Sequence, residues 1–166
     1  MESSSRSHTS VRDSQAPVST GAGASLVWSD ARVLGFGPMD QTHEEFFRVA
    51  FDLLTCTFAG AADALRAFED HAVEHFEQEN EWMRESLFPA RDCHMDEHAA
   101  VLESIRQVRE SFASGALGLD TVHDLAMELF SWFPGHADYL DSALAAWMTQ
   151  RTLGGKPVVL RRSLRT

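Results

Sequence analysis

Apolar side chains recur with the period of an α-helix in four long segments of the chain. In the first, about residues 41–58, they fall mostly three or four positions apart, as on one face of a helix. Three further segments follow at about 62–87, 92–113 and 120–148, and no segment shows a convincing strand pattern. Four long helices with short connections predict an all-α, up-down-up-down four-helix bundle, in which consecutive helices are antiparallel neighbours.

Short breaking motifs separate these segments. Asp40 and Asp120 precede the first and fourth segments, and we expect both to cap the N-terminus of a helix. Gly60 is expected to end the first helix and Gly115 to close the third. Pro89 is expected to end the second, because the residue before a proline is pushed out of helical conformation.

The two ends of the chain lack the helical pattern. Residues 1–25 are rich in Ser, Thr, Gly and Ala, which cannot bury enough apolar surface to offset the entropy of ordering, so we expect a disordered N-terminal arm there. Gly154, Gly155 and Pro157 break any helix, and basic residues follow, so we expect 151–166 to be a solvated basic C-terminal tail. The remaining 26–150 are long enough for one bundle domain.

Charge and cysteine content narrow the class of function. The formal net charge is −11, which disfavours a nucleic-acid partner because phosphate binding needs clustered Lys and Arg. No apolar run is long enough to span a membrane and no leader is visible, so we expect no membrane span and a cytoplasmic location. Cys56 and Cys93 have no CxxC spacing, and we expect both to be small buried apolar residues.

Histidines and carboxylates fall on all four predicted helices. The second contains His75 and Glu79, and the third contains His94 and His98, each pair four positions apart and therefore on one helix face. Two imidazoles one turn apart can close on one metal ion. The ligand-type side chains on the other two helices are His43, His136 and Asp141. His71, one turn before His75, and His123 are expected to be exposed or hydrogen-bonded rather than metal ligands.

The predicted antiparallel topology brings these groups to a similar depth. His75 lies about 13 residues before the turn at 88–91, and His98 lies about 7 residues after it. At 1.5 Å per residue their depths differ by about 9 Å, which two side chains and a metal pair can span. Five imidazoles and two carboxylates suit a mid-row transition metal, and carboxylates that can bridge two ions favour a pair of irons over structural zinc.

Several motifs can be compared with a known family. They are Trp28 ahead of Gly35, Met39-Asp40-Gln41-Thr42-His43, His75-Phe76-Glu77-Gln78-Glu79 with Met83, Phe88-Pro89, His94 to His98, and Trp132 four residues before His136, with Asp141 following. In these motifs the chain resembles the hemerythrin family, and more closely its bacterial single-domain members, from about Trp28 to Trp147. All seven ligand positions of that family are filled here.

The resemblance implies a role for each of these residues. One iron would be held by His94, His98 and His136 and the other by His43 and His75. The cofactor would be two non-haem irons bridged by Glu79, Asp141 and an oxo or hydroxo group. The iron with two histidines would keep an open position for dioxygen, and we expect its pocket to be lined by Trp132, Phe133 and Ala137.

The expected function is therefore reversible dioxygen binding for storage, transport or delivery, in a binding protein rather than an enzyme. Sensing of oxygen or redox state remains an alternative, as do iron storage and the handling of peroxide or nitric oxide. Delivery would require an oxygen-consuming enzyme as partner. The ferritin-like carboxylate class is disfavoured, because none of the histidines has a glutamate three residues before it.

The spacing of His136 and Asp141 conflicts with a regular helix. Five residues at about 100° each place the two side chains about 140° apart. A π-turn aligns residues five apart, and Pro134 disturbs the helix just before it. We therefore predict a bulge or kink between about Phe130 and Asp141.

Overall fold

The computed structural model describes residues 26–153, and these form a bundle of antiparallel helices. The fourth arm of the bundle is built from three consecutive pieces, α4, a π-helical segment and α5, and no strand occurs among the described residues. The bounds are α1 Gly37–Thr55, α2 Ala61–Ser86, α3 Arg91–Ala113, α4 Leu119–His136, the π segment Ala137–Asp141 and α5 Ser142–Leu153, with short 3-10 turns at Asp30–Arg32 and Phe58–Gly60. Each helix packs on the next in sequence, and α1 packs on α4, which closes the predicted up-down-up-down bundle.

Two apolar clusters fill the interior. The larger cluster includes Phe46, Phe68, Phe76, Ile105, Phe130, Phe133 and Ala137, and the smaller cluster consists of Met39, Met83, Phe88, Leu144 and Ala145. Between them the helices place a polar layer, which we define as His43, His75, Glu79, His94, His98, His136 and Asp141. On α1, for example, His43 lies between Met39 of the smaller cluster and Phe46 of the larger. Burial of both clusters is thus what holds the polar layer out of contact with water.

The start of α1 differs from the prediction. The helix begins at Gly37, four residues early, with Phe36 as its N-cap residue, so the prediction that Asp40 caps it is wrong. Asp40 lies in the first turn instead, and its carboxylate accepts hydrogen bonds from the backbone N–H groups of Leu34 (2.6 Å) and Gly35 (3.0 Å). These bonds satisfy two donors of the loop that leads into the bundle.

We expect Asp40→Ala to lower the free energy of unfolding by about 1 to 3 kcal/mol, because two backbone donors lose a charged acceptor. Urea denaturation measures the change. Asp52→Ala, on the exposed side of the same helix, is the matched control and should leave stability nearly unaltered. Equal stability of the two variants would show that the Asp40 hydrogen bonds contribute nothing.

The other helix ends also correct or refine the predictions. Gly118, and not Asp120, is the N-cap residue of α4, while α1 ends at Thr55 rather than about residue 58. The predicted end of α2 ahead of Pro89 is confirmed. There Leu87 takes the left-handed conformation (φ 55°), and the Phe88 N–H donates to the Met83 carbonyl at 2.9 Å, which closes the last turn.

The bulge predicted between Phe130 and Asp141 is confirmed. The backbone is π-helical over Ala137–Asp141, and the Ser142 N–H donates to the Ala137 carbonyl five residues back. The Ala137 N–H contacts the carbonyls of both Phe133 and Pro134, so the turn just before the bulge is tightened. The fourth arm therefore consists of α4, the π segment and α5, and it extends beyond its predicted end near residue 148 to Leu153.

The predictions for the chain ends, for membrane-spanning segments and for the cysteines have different outcomes. The arm at 1–25 and the tail from residue 154 onward lie outside the described residues, whereas 151–153 belong to α5. Within 26–153 none of the helices has the length and apolar character needed to cross a membrane. Burial of the cysteines was wrongly predicted: Cys93 is exposed, and Cys56 is half-buried at the C-cap position of α1, where it packs only partly against the larger apolar cluster.

Candidate metal centre

The fold brings all seven predicted ligand residues together in the polar layer. Every one of them is buried, although histidine and carboxylate side chains favour water. Their donor atoms fall into two groups in which all atoms lie within 4.8 Å of one another. The larger group is Glu79, His94, His98, His136 and Asp141, and the smaller group is His43, His75 and Glu79.

Three imidazoles converge in the larger group. His136 Nε2 lies 3.2 Å from the Nε2 atoms of both His94 and His98. His94 and His98 are one turn apart on α3, so helical periodicity alone aims both at the same point. His136 reaches that point from the last residue of α4, directly before the π segment.

Glu79 joins the two groups. Its Oε1 lies 3.2 Å from His75 Nε2 and 3.8 Å from His43 Nε2. Its Oε2 lies 3.3 Å from His98 Nε2 and 3.6 Å from His94 Nε2. Each oxygen therefore faces a different set of imidazoles, which is the arrangement of a carboxylate that can bridge two ions.

Asp141 contacts imidazoles of both groups in a similar way. Its Oδ1 lies 3.0 Å from His94 Nε2 and 3.2 Å from His136 Nε2, and its Oδ2 lies 3.2 Å from His43 Nε2. The π segment makes this possible, because it sets Asp141 on the same side of the fourth arm as His136.

These spacings match those of ligands around metal ions. Ligands bound at right angles, about 2.0 to 2.2 Å from an ion, lie about 2.8 to 3.1 Å apart. The separations of 3.0 to 3.2 Å around His136 and Asp141 are close to that value. Both Asp141 oxygens and His43 Nε2 are nevertheless buried without a hydrogen bond in the described part of the chain. Buried donor atoms that converge in this way fit metal ions, whose bonds would satisfy them.

Both carboxylates of the layer are held in the ionised form. Burial, and the nearby charge of Asp141, would raise the pKa of Glu79, but the charge and hydrogen bond of His75 and the close approach of His98 lower it to about 2. Burial likewise opposes ionisation of Asp141, yet His136 and two other histidines hold its pKa well below the ordinary value. Burial also lowers the pKa of His98 to about 4. Anionic carboxylates and a neutral imidazole are the forms that bind metal.

Two contacts on the outer side of the layer were not predicted from the sequence. His98 Nδ1 lies 3.1 Å from Asn80 Oδ1, and His136 Nδ1 lies 3.4 Å from Glu97 Oε2. Trp132 Nε1 donates to the same Glu97 oxygen at 3.3 Å. A metal-binding histidine usually donates its other N–H to an oxygen acceptor, so contacts of this kind could have been expected. The sequence does not say which acceptor lies near each histidine.

The three residues predicted to line an oxygen pocket lie in different places. Phe133 is buried and meets the His43 ring edge-on, with ring centres 4.9 Å apart. Trp132 instead packs on His136, at 4.4 Å, beside the three-histidine group. Ala137 is buried in the larger apolar cluster. The pocket itself stays a prediction, and Phe133 is its member in contact with the two-histidine group.

The two other described histidines, His71 and His123, were predicted to be exposed or hydrogen-bonded. His123 Nε2 lies 3.1 Å from the Cys56 carbonyl oxygen, which confirms a hydrogen-bonded role. His71 is half-buried one turn before His75, with ring centres 5.8 Å apart, and its Nε2 is buried without a hydrogen-bond partner among residues 26–153. Burial is the main reason its pKa falls to about 4. The expected hydrogen bond of His71 is thus absent on that nitrogen.

Comparisons with known proteins agree with this geometry. The family model for the hemerythrin HHE cation binding domain matches residues 35–148. A curated bacteriohemerythrin from Ralstonia nicotianae is 36% identical over 126 residues, which cover 76% of this chain and 90% of that protein. A crystal structure of a hemerythrin with a leucine-to-tyrosine substitution has a TM-score of 0.67 at 21% identity, over 74% of this chain and 99% of that one. A structure of a leucine-to-phenylalanine mutant has the same TM-score and coverage at 22% identity. With its family match, its bacteriohemerythrin relative and its bundle fold, the chain belongs to the hemerythrin family.

Proposed function

We propose that this protein binds dioxygen reversibly at two non-haem irons in the polar layer. The observation that carries the proposal is the position of Glu79, whose two oxygens face two separate groups of buried imidazoles. One ion cannot use five imidazoles and two carboxylates together, whereas two ions can share the carboxylates. The bacteriohemerythrin relative and the family match support the same metal and ligand.

The assignment of ligands follows the two groups. His94, His98 and His136 would hold one iron, and His43 and His75 would hold the other. Glu79, Asp141 and an oxo or hydroxo group would bridge them. Two irons held by these residues would supply the electrons for reversible binding of dioxygen, and the side with only His43 and His75 would be the side that receives it.

The surrounding chain would favour binding over further chemistry. The apolar clusters on both sides of the layer would limit the access of water to the irons from those two sides, and Phe133 shields the His43 imidazole. A site with five imidazoles and two carboxylates carries less negative charge than a carboxylate-rich one, and therefore stabilises high-valent iron less. We propose a binding protein for storage or delivery of dioxygen rather than an enzyme.

We expect two irons per chain and an absorption band that appears when oxygen is added to the reduced, iron-loaded protein and bleaches when oxygen is removed. Metal analysis and optical spectra under controlled oxygen measure both. His136→Ala should lose the band, while His123→Ala, whose imidazole contacts Cys56 far from the layer, should keep it. One zinc per chain with no anaerobic iron uptake would contradict the proposal, and irreversible oxidation on first mixing would favour an oxidase or sensor.

A further inference from the structure

A polar cavity of about 320 Å³ lies between α1 and α2 and reaches the polar layer. His75 forms part of its wall, and the Nε2 of the same residue lies 3.2 Å from Glu79, so this one imidazole adjoins both the cavity and the centre. At about 30 Å³ per water molecule, the space is large enough for a hydrated ion. The cavity therefore adjoins the half of the centre with only two histidines.

The lining of this cavity offers ligands for a cation. Glu45 on α1 is half-buried and Glu74 on α2 is exposed, so the outer part carries two carboxylates from facing helices. Further in, His71 Nε2 and His75 Nδ1 are both buried, and neither has a hydrogen-bond partner in the part of the chain that the structure describes. His71 and His75 lie one turn apart on α2, with ring centres 5.8 Å apart. Carboxylates outside and unpartnered imidazoles inside form a graded series of ligands.

A second cavity, of about 290 Å³, reaches the other half of the centre but has a different character. It is lined by His136 together with Trp132, Tyr139 and Leu140, and Glu97 is its one carboxylate in the described residues. Oε2 of this Glu97 already accepts a hydrogen bond from Trp132 Nε1. A hydrated divalent cation needs polar groups to replace its waters as it moves, and the aromatic wall offers few. Of the two cavities, the one between α1 and α2 fits a cation.

We propose that the cavity between α1 and α2 is the route by which Fe²⁺ loads the centre, with Glu45 and Glu74 attracting the hydrated ion and His71 binding it in transit to His75. The proposal rests on the function proposed above, since it requires a metal centre to fill. The iron stays ferrous throughout: waters leave as carboxylate and imidazole ligands bind, and no electron moves. The protein's net negative charge adds to the attraction of a cation.

The test is the rate of anaerobic Fe²⁺ uptake by the full-length, metal-free chain. Uptake is followed as the loss of colour when Fe²⁺ leaves its complex with a ferrous chelator. We expect the E45Q/E74Q double variant to load about tenfold more slowly at low ionic strength, because carboxylates that line a cleft focus the field on an incoming cation. The defect should shrink in high salt. His71→Phe should also load about tenfold more slowly, at every salt concentration. All variants should reach the same final iron content.

The matched control is E44Q/E77Q, which removes the same charge from α1 and α2 at exposed positions outside the cavity. It should load within about twofold of the unaltered chain. Equal uptake rates in the cavity and control variants, with full final loading, would overturn the route and leave the proposed centre intact. A lower final iron content in His71→Phe, with E45Q/E74Q loading normally, would also overturn it and make His71 structural. Failure of the unaltered chain to take up iron would instead overturn the proposed function.

Discussion

Glu79→Ala is expected to reduce the iron content from two ions per chain to at most one and to abolish oxygen binding. The carboxylate of Glu79 lies between the two groups of imidazoles, with its closest contacts at 3.2 Å to His75 and 3.3 Å to His98. Without it, the His43 and His75 pair keeps only Asp141 as a nearby carboxylate. The larger group keeps three imidazoles and Asp141, which is enough for one ion.

The matched control for this change is Glu77→Ala, two residues away on α2. Glu77 is exposed and its carboxylate binds Arg84 at the surface, 2.7 Å from Nη1, so its loss should leave iron content and the oxygenated spectrum unaltered. Metal analysis after anaerobic reconstitution, followed by exposure to oxygen, measures both variants. Two irons and a normal spectrum in Glu79→Ala would show that the bridging assignment is wrong.

A second large effect is expected from changing the length of the π segment. In a regular α-helix His136 and Asp141 would lie about 140° apart, whereas the π-turn sets them on one side. Deletion of the exposed Asp138 would bring the pair to a spacing of four residues, about 40° apart in an ordinary α-helix. We therefore expect the deletion variant to keep two irons, losing only local bonds such as that from Ser142 Oγ to the Asp138 carbonyl.

Insertion of one alanine after Asp138 is expected to have the opposite outcome. The added residue rotates the rest of the fourth arm, which includes Asp141, by about 100° relative to the polar layer. His136 and Asp141 can then no longer both face the centre. It also turns Leu144 and Ala145 out of the smaller apolar cluster, and loss of a buried leucine alone costs about 2 to 5 kcal/mol. We expect loss of iron and a lower thermal unfolding midpoint.

The control for the pair is an alanine inserted after Ala116, in the exposed turn between α3 and α4, where an extra residue should be tolerated. Iron content and thermal unfolding are measured for all three variants. If the deletion loses iron while the insertion in the π segment keeps it, the π-turn is not what aligns the two residues.

The number of helices and the set of residues that meet in the polar layer could be predicted from the sequence, for one physical reason. Periodicity reports which side chains share a helix face, and an antiparallel bundle with short connections leaves little freedom in how faces meet. His94 and His98 are aligned by their own helix, whatever packs against it. Even the π-turn could be predicted, because two residues five apart that must face one point are incompatible with 100° per residue.

The parts that depend on other helices or loops could not be predicted in this way. Asp40 was expected to cap α1, but its carboxylate binds the N–H groups of Leu34 and Gly35, whose position is set by how the preceding loop packs. The contacts of Asn80 with His98 and of Glu97 with His136 join different helices. These contacts form or break when the separation of two helices changes by a few tenths of an ångström, and the periodicity of the sequence does not encode that separation.

The cavity between α1 and α2 likewise has some features that the sequence predicts and others that only the packing of the helices decides. The sequence alone placed His71 one turn before His75, and so on the same face of α2. Only the tertiary structure placed Glu45 of α1 opposite them and left a polar space between the two helices. Local periodicity thus determines what each helix offers, whereas the packing of one helix on another decides which groups meet, because contact energies act only over ångström distances.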